Sequence, residues 1–99
     1  MPLVPFPLPP ARVEYIELSV RMTKGDRTRW FMVRIRHYQD EPRREFRGLI
    51  QFDGYHHRSL TTTDLLQIMT FRIQCEGEIR ELEKDGWVQV AEPTPRRRS

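Results

Sequence analysis

Apolar and polar side chains alternate on both sides of Gly25-Asp26, from Tyr15 to His37. Successive side chains of a strand point to opposite faces. The alternation therefore predicts two antiparallel strands, 13–22 and 28–37, joined by a two-residue turn with positive φ at its first position. Centred there, the hairpin sets Val20 opposite Phe31, Leu18 opposite Val33 and Ile16 opposite Ile35. The reverse face pairs Arg21 with Trp30, Ser19 with Met32, Glu17 with Arg34 and Tyr15 with Arg36. A slip of one residue would mix the two sets, so the pattern specifies the register. One face is apolar and belongs to a core; the other is basic and aromatic.

The same reading extends along the chain. A third strand is predicted at 46–52, reached through a charged loop holding Pro42. Asp53-Gly54 is a turn signal, and 55–59 forms a short fourth strand. Thr61 is placed to cap a helix, Asp64 lies in its first turn, and Leu60 can staple onto Leu65. Leu65, Ile68, Phe71, Cys75, Ile79 and Leu82 then recur at intervals of three and four, predicting a helix over 62–84 that ends at Asp85-Gly86. Two features compete with it. Gly77 costs a helix about 1 kcal/mol relative to alanine, and 69–75 alternates as a half-buried strand would. The longer stripe and its start and stop signals favour the helix; the rival is a helix over 61–68 followed by a strand. A short strand at 87–90 closes the domain.

The expected fold is therefore α+β, a small antiparallel sheet of three to four strands packed on one long helix from the C-terminal half, with a short closing strand. If 69–75 were a strand, a three-layer or barrel arrangement would replace it. The expected core is Ile16, Leu18, Val20, Phe31, Val33, Ile35, Ile50, Phe52, Ile68, Phe71, Ile79 and Leu82.

Ninety-nine residues fit one domain, 13–92, between a proline-rich arm at 1–12 and a disordered basic tail at 93–99. The arm carries Pro7-x-x-Pro10-x-Arg12, a spacing that proline-recognising grooves accept, though a packed or loose arm reads the same way. The net charge of +3 is uneven: residues 11–50 carry +4, 51–92 carry −4, and Arg96, Arg97 and Arg98 add the rest. A basic face and an acidic face follow, with phosphates, acidic proteins or a second copy of the chain as partners. No apolar run reaches the eighteen or so residues of a membrane span, and the proline-broken start is unlike a signal peptide. A cytoplasmic location without membrane association is the expectation.

The chemistry narrows as follows. Glycine-rich phosphate loops, nucleophile elbows and zinc-protease helices are missing from the sequence, and a domain this small has little room for a deep cleft, so no enzymatic activity and no cofactor are expected. His56 and His57, adjacent on a strand, would point to opposite faces, and with one cysteine no zinc set is completed, so no metal is expected. Cys75 reads as a small core residue. The candidate site is the basic aromatic face: Tyr15, Arg21, Trp30, Met32, Arg34 and Arg36, joined from the third strand by Arg47 and Leu49. Tryptophan, tyrosine, methionine and arginine are the types enriched at protein interfaces, and rings among arginines also suit single-stranded nucleic acid. The face can also satisfy itself as a plain solvated sheet. The leading expectation is a homodimeric protein–protein adaptor acting through this face; the alternative is single-stranded DNA or RNA binding.

The succession Val33-Arg34-Ile35-Arg36-His37-Tyr38, a charged loop, Arg47-Gly48-Leu49-Ile50-Gln51-Phe52 and then a helix resembles the single-strand-binding transcriptional coactivator domain related to the Whirly proteins. That resemblance implies a curved sheet backed by a helix, dimerisation, and nucleic acid on the strands around Arg34, Arg36 and Arg47.

Overall fold

The alternating pattern does fold into strands, and the strands are longer than the sequence suggests. The computed structural model describes residues 12–38 and 41–90. Residues 1–11 of the proline-rich arm and the whole basic tail lie outside the described residues, and with them most of the Pro7-x-x-Pro10-x-Arg12 spacing. The elements run β1 (Arg12–Lys24), β2 (Arg27–Tyr38), β3 (Arg44–Phe52), β4 (Tyr55–Thr62), α1 (Leu65–Lys84) and β5 (Val88–Val90). They form one antiparallel sheet in the order β4-β3-β2-β1-β5, with α1 packed on one face. This is the α+β architecture expected, with the closing strand placed on the edge of β1.

Both predicted turns form. Gly25 has φ 63°, and Asp53 and Gly54 have φ 53° and 83°. Two successive positive angles suit a hairpin turn whose twist matches its strands, and aspartate tolerates that region because its side chain bonds locally. Asp53 does so across the sheet: its carboxylate accepts from the Thr28 amide at 2.9 Å, while its own amide donates to the Thr28 carbonyl at 2.9 Å. The Thr28 bond, aided by Arg27 and Arg29, holds the Asp53 carboxyl below the usual range despite an opposing desolvation effect.

The hairpin register holds from Lys24–Arg27 up to Leu18–Val33 and then shifts at a β-bulge, where Glu17 has no opposite residue. Beyond it Ile16 faces Arg34, Tyr15 faces Ile35 and Glu14 faces Arg36. Three expected pairs, Ile16–Ile35, Glu17–Arg34 and Tyr15–Arg36, are therefore corrected. Ile16 is 68% exposed and leaves the core list. The physical reason is charge. An unbroken register would put Glu14 on the face turned to α1. The bulge sends it to the other face, where it accepts from Arg36 Nε at 3.0 Å and lies 3.3 Å from Arg12. Glu17, freed by the bulge, reaches Arg72 of α1 at 3.4 Å. One extra residue thus re-aims every side chain before it.

The helix begins three residues later than its sequence signals suggest, because β4 continues to Thr62. Asp64, not Thr61, is the cap: its carboxylate accepts from the Leu66 amide at 2.9 Å, while its amide donates to Thr62 Oγ1 at 3.0 Å. Leu65 is exposed, so the expected staple does not form, and Leu60 packs on the core by itself. At the other end Gly86 takes φ 93°, its amide donates to Glu83 O and the Trp87 amide to Leu82 O. This is the two-bond glycine stop that satisfies the last carbonyls of a helix.

The core joins Met22, Phe31, Val33, Phe46 and Ile50 of the sheet to Ile68, Phe71, Cys75 and Ile79 of α1, closed by Trp87. Leu18, Val20, Ile35, Phe52, Leu60 and Leu82 flank it, partly buried. Met22, Phe46 and Trp87 join a core whose other sheet members the alternation anticipates. Burial pushes the Cys75 thiol up to about 12, so it stays protonated and acts as packing, as expected. The helix approaches the sheet at Gly48, where an added Cβ would fall 2.3 Å from the Phe71 ring. Among the described residues no helix is long and apolar enough to cross a membrane.

Candidate binding surfaces

With α1 on one face, the opposite face of the sheet is built in rows fixed by the register. Arg21, Trp30, Gln51 and His56 form one row; Ser19, Met32, Leu49 and Ser59 the next. Ile16, Arg34, Arg47 and Thr61 follow, and Glu14, Arg36 and Glu45 form the last. Seven of the eight candidate residues stand here. Tyr15 does not: the bulge turns it to the side of Ile35, where its ring stacks on His37 at 5.8 Å between centroids.

The apolar centre of this face is not on offer to a partner. Met32 is 6% exposed and Leu49 9%, although neither belongs to the core against α1. Trp30 is half-buried; its Nε1 donates to Ser19 Oγ at 3.1 Å and the Arg21 guanidinium lies 4.5 Å above its ring. Arg36 is held by Glu14 and, at 3.6 Å, by Glu45. Arg34 and Arg47 differ. They are directly opposite each other across β2 and β3, and neither has a carboxylate partner among the described residues. Like charges placed so are mutually destabilising.

The exposed apolar surface lies elsewhere. Leu65, Leu66 (71% exposed), Met69 and Ile73 (62% exposed) occupy the first half of α1 on the side away from the sheet. The alternation over 69–75 explains them. Wound into a helix, Phe71 and Cys75 point into the core while Met69 and Ile73 point out. Apolar residues on both sides of this stretch are the sequence signal for a helix with a second apolar face. The free edge of β1 lies in the same half of the molecule: among the described residues, β5 pairs only with Arg21, Met22 and Thr23.

The two adjacent histidines diverge as a strand requires. His56 Nε2 lies 3.0 Å from Ser59 Oγ, whereas the His57 ring stacks on Phe52 at 3.8 Å. No family model, curated protein or solved structure matches the chain.

Proposed function

We propose that the chain is a non-enzymatic binding module that assembles with a second copy of itself through the outer side of α1 and the adjoining edge of β1. One observation carries this reading: the first half of α1 exposes Leu65, Leu66, Met69 and Ile73 as a second apolar stripe, away from the side that the sheet covers. A contiguous exposed apolar stripe rimmed by polar residues marks a surface that a partner covers. A two-fold dimer brings the same patch from each copy together, so an uncharged apolar stripe is its own complement. The open edge of β1 favours the same arrangement, since unpaired strand edges invite a partner. This moves the adaptor surface expected from the sequence off the sheet face, whose Met32 and Leu49 are buried.

Sedimentation equilibrium tests it. The unaltered protein should be dimeric at micromolar concentration, and Ile73→Glu or Leu66→Glu should give a folded monomer with association weakened at least a hundredfold. A strict monomer at high concentration would remove the reading.

A second reading rests on the Arg34–Arg47 pair. An anion between the two guanidinium groups relieves their repulsion, and the neighbouring Arg21, Trp30, Ser59 and Thr61 suit a phosphate chain with bases stacking nearby. This is the single-stranded nucleic-acid alternative. Fluorescence anisotropy of a labelled oligonucleotide should fall steeply with salt. In the double variant Arg34→Ala/Arg47→Ala the slope of log K against log salt should be shallower by about 1.4, two contacts at about 0.7 each. No anisotropy change at low salt would end it.

A further inference from the structure

A groove of about 910 Å³ runs between the second half of α1 and the sheet, away from both surfaces described above. Phe31, Phe52 and Leu82 line it, Arg29 and Arg58 enter it from β2 and β4, and the helix side mixes Glu78, Glu81 and Asp85 with Arg80 and Lys84. Both arginines occupy positions on the core side of the sheet, which apolar residues fill elsewhere. Arg29 is in register with Phe52, and Arg58 with Ile50. They are placed differently. The Arg29 side chain is only 11% exposed, its guanidinium lies 4.0 Å from the Phe52 ring and 4.7 Å from that of Trp87, and its charge is answered by Asp53 at 3.7 Å. Arg29 is thus a fixed wall. Arg58 has weaker partners, with its guanidinium 5.4 Å from the Phe71 ring centre. Its nearest carboxylate, Glu78, is 3.4 Å away at one nitrogen, and its buried Nε has no hydrogen-bond partner among the described residues. A guanidinium offers five donors in a fork matched to a carboxylate, so one long contact leaves most of them unanswered.

Gly77 stands at the rim of this groove. Its backbone is ordinary helix, and a Cβ there would meet only the end of Arg80, at 3.9 Å. Neither strain nor close packing requires glycine, yet glycine is unfavourable in a helix interior. What its missing side chain does is keep the rim low.

We infer that the groove binds a small amphipathic carboxylic acid, its carboxylate displacing Glu78 to take the Arg58 fork and its apolar body lying along Leu82 and the edge of the Phe52 ring. Leu82 and the Phe52 edge supply apolar area, Arg58 supplies the two-point charge contact, and Arg29, already packed against Phe52 and Trp87, holds the wall in place. The inference does not rest on the dimer: the exposed stripe belongs to the first half of α1 and the groove to the second.

The probe is 2-naphthoate, with uncharged 2-naphthol as control, titrated into the full chain and followed by amide chemical shifts. Binding is expected in the micromolar range, with shifts at Arg58, Phe52 and Leu82, and at least tenfold weaker for 2-naphthol. Arg58→Gln and Gly77→Leu should each weaken it at least tenfold. Arg58→Lys, which keeps the charge and loses the fork, should fall between. Leu66→Glu should bind as the unaltered protein does, which separates this result from the fate of the dimer. Equal affinity for acid and alcohol, unchanged affinity in both Arg58→Gln and Gly77→Leu, shifts confined to Leu66 and Ile73, or no shifts at millimolar probe would each overturn the inference.

Discussion

Gly48→Ala is expected to destabilise the fold by about 3 kcal/mol, the upper end of what overpacking a core with one carbon costs. The alanine Cβ would sit 2.3 Å from one Phe71 ring carbon and 2.4 Å from the next. Real contacts of that kind do not occur, so the ring or the helix must move. The ring has little freedom: Phe71 is 5% exposed and shares the core with Ile50, Ile68 and Cys75. Lifting α1 instead would open the interface along its whole inner stripe. Since a domain of this size has only about 5–15 kcal/mol of stability, the midpoint of thermal unfolding should drop by roughly 12–24 °C. Phe71→Leu in the same chain should recover part of the loss, because a smaller side chain vacates the contested space. That sign of coupling would be read from a double-mutant cycle in urea. An unchanged urea midpoint in Gly48→Ala would mean that α1 does not lie this close to β3.

What the sequence reveals and what it conceals divide along the range of the interactions. Short-range signals are legible. Gly25-Asp26 and Asp53-Gly54 announce turns because positive φ restricts the residues that fit there, and Asp85-Gly86 announces the helix stop for the same reason. The alternation around Phe31, Val33 and Ile35 is legible because a buried face punishes a slip. The bulge at Glu17 is not legible. It is decided by Arg36 and Arg72, 19 and 55 positions away, which offer Glu14 and Glu17 better places than a regular register would. The late helix start likewise depends on β4 pairing with β3 as far as Phe46–Thr62, a partnership that Thr61 does not advertise. The candidate surface suffers most. Alternation assigns Met32 and Leu49 to the outer face correctly but says nothing of how far they are buried there. The placement of Arg29 is legible, since its parity with Phe31 puts it on the apolar side. Exposure is a property of what covers a residue, and periodicity reports only which way it points.

Phe31→Ala is expected to cost about 4 kcal/mol, and Trp30→Ala, next to it on the same strand, only about 1–2 kcal/mol. Ring size alone predicts the opposite order. Phe31 is 1% exposed and sits in the centre of β2 between Val20 of β1 and Ile50 of β3, beneath the helix. Removing its ring leaves a cavity walled by Val33, Ile50 and Phe71, residues held by both layers and unable to collapse inward. Trp30 loses less because less of it is buried, and its particular contacts are the Ser19 hydrogen bond and the Arg21 guanidinium, each a matter of about 1 kcal/mol at a half-exposed site. Urea unfolding of the two variants measures the difference directly. It also tests the placement on which every surface assignment depends, because Arg34, Arg47 and Trp30 share one face only if Phe31 lies on the other. A larger loss in Trp30→Ala than in Phe31→Ala would invert the sheet, turning the arginine pair toward α1 and the Arg58 groove toward solvent.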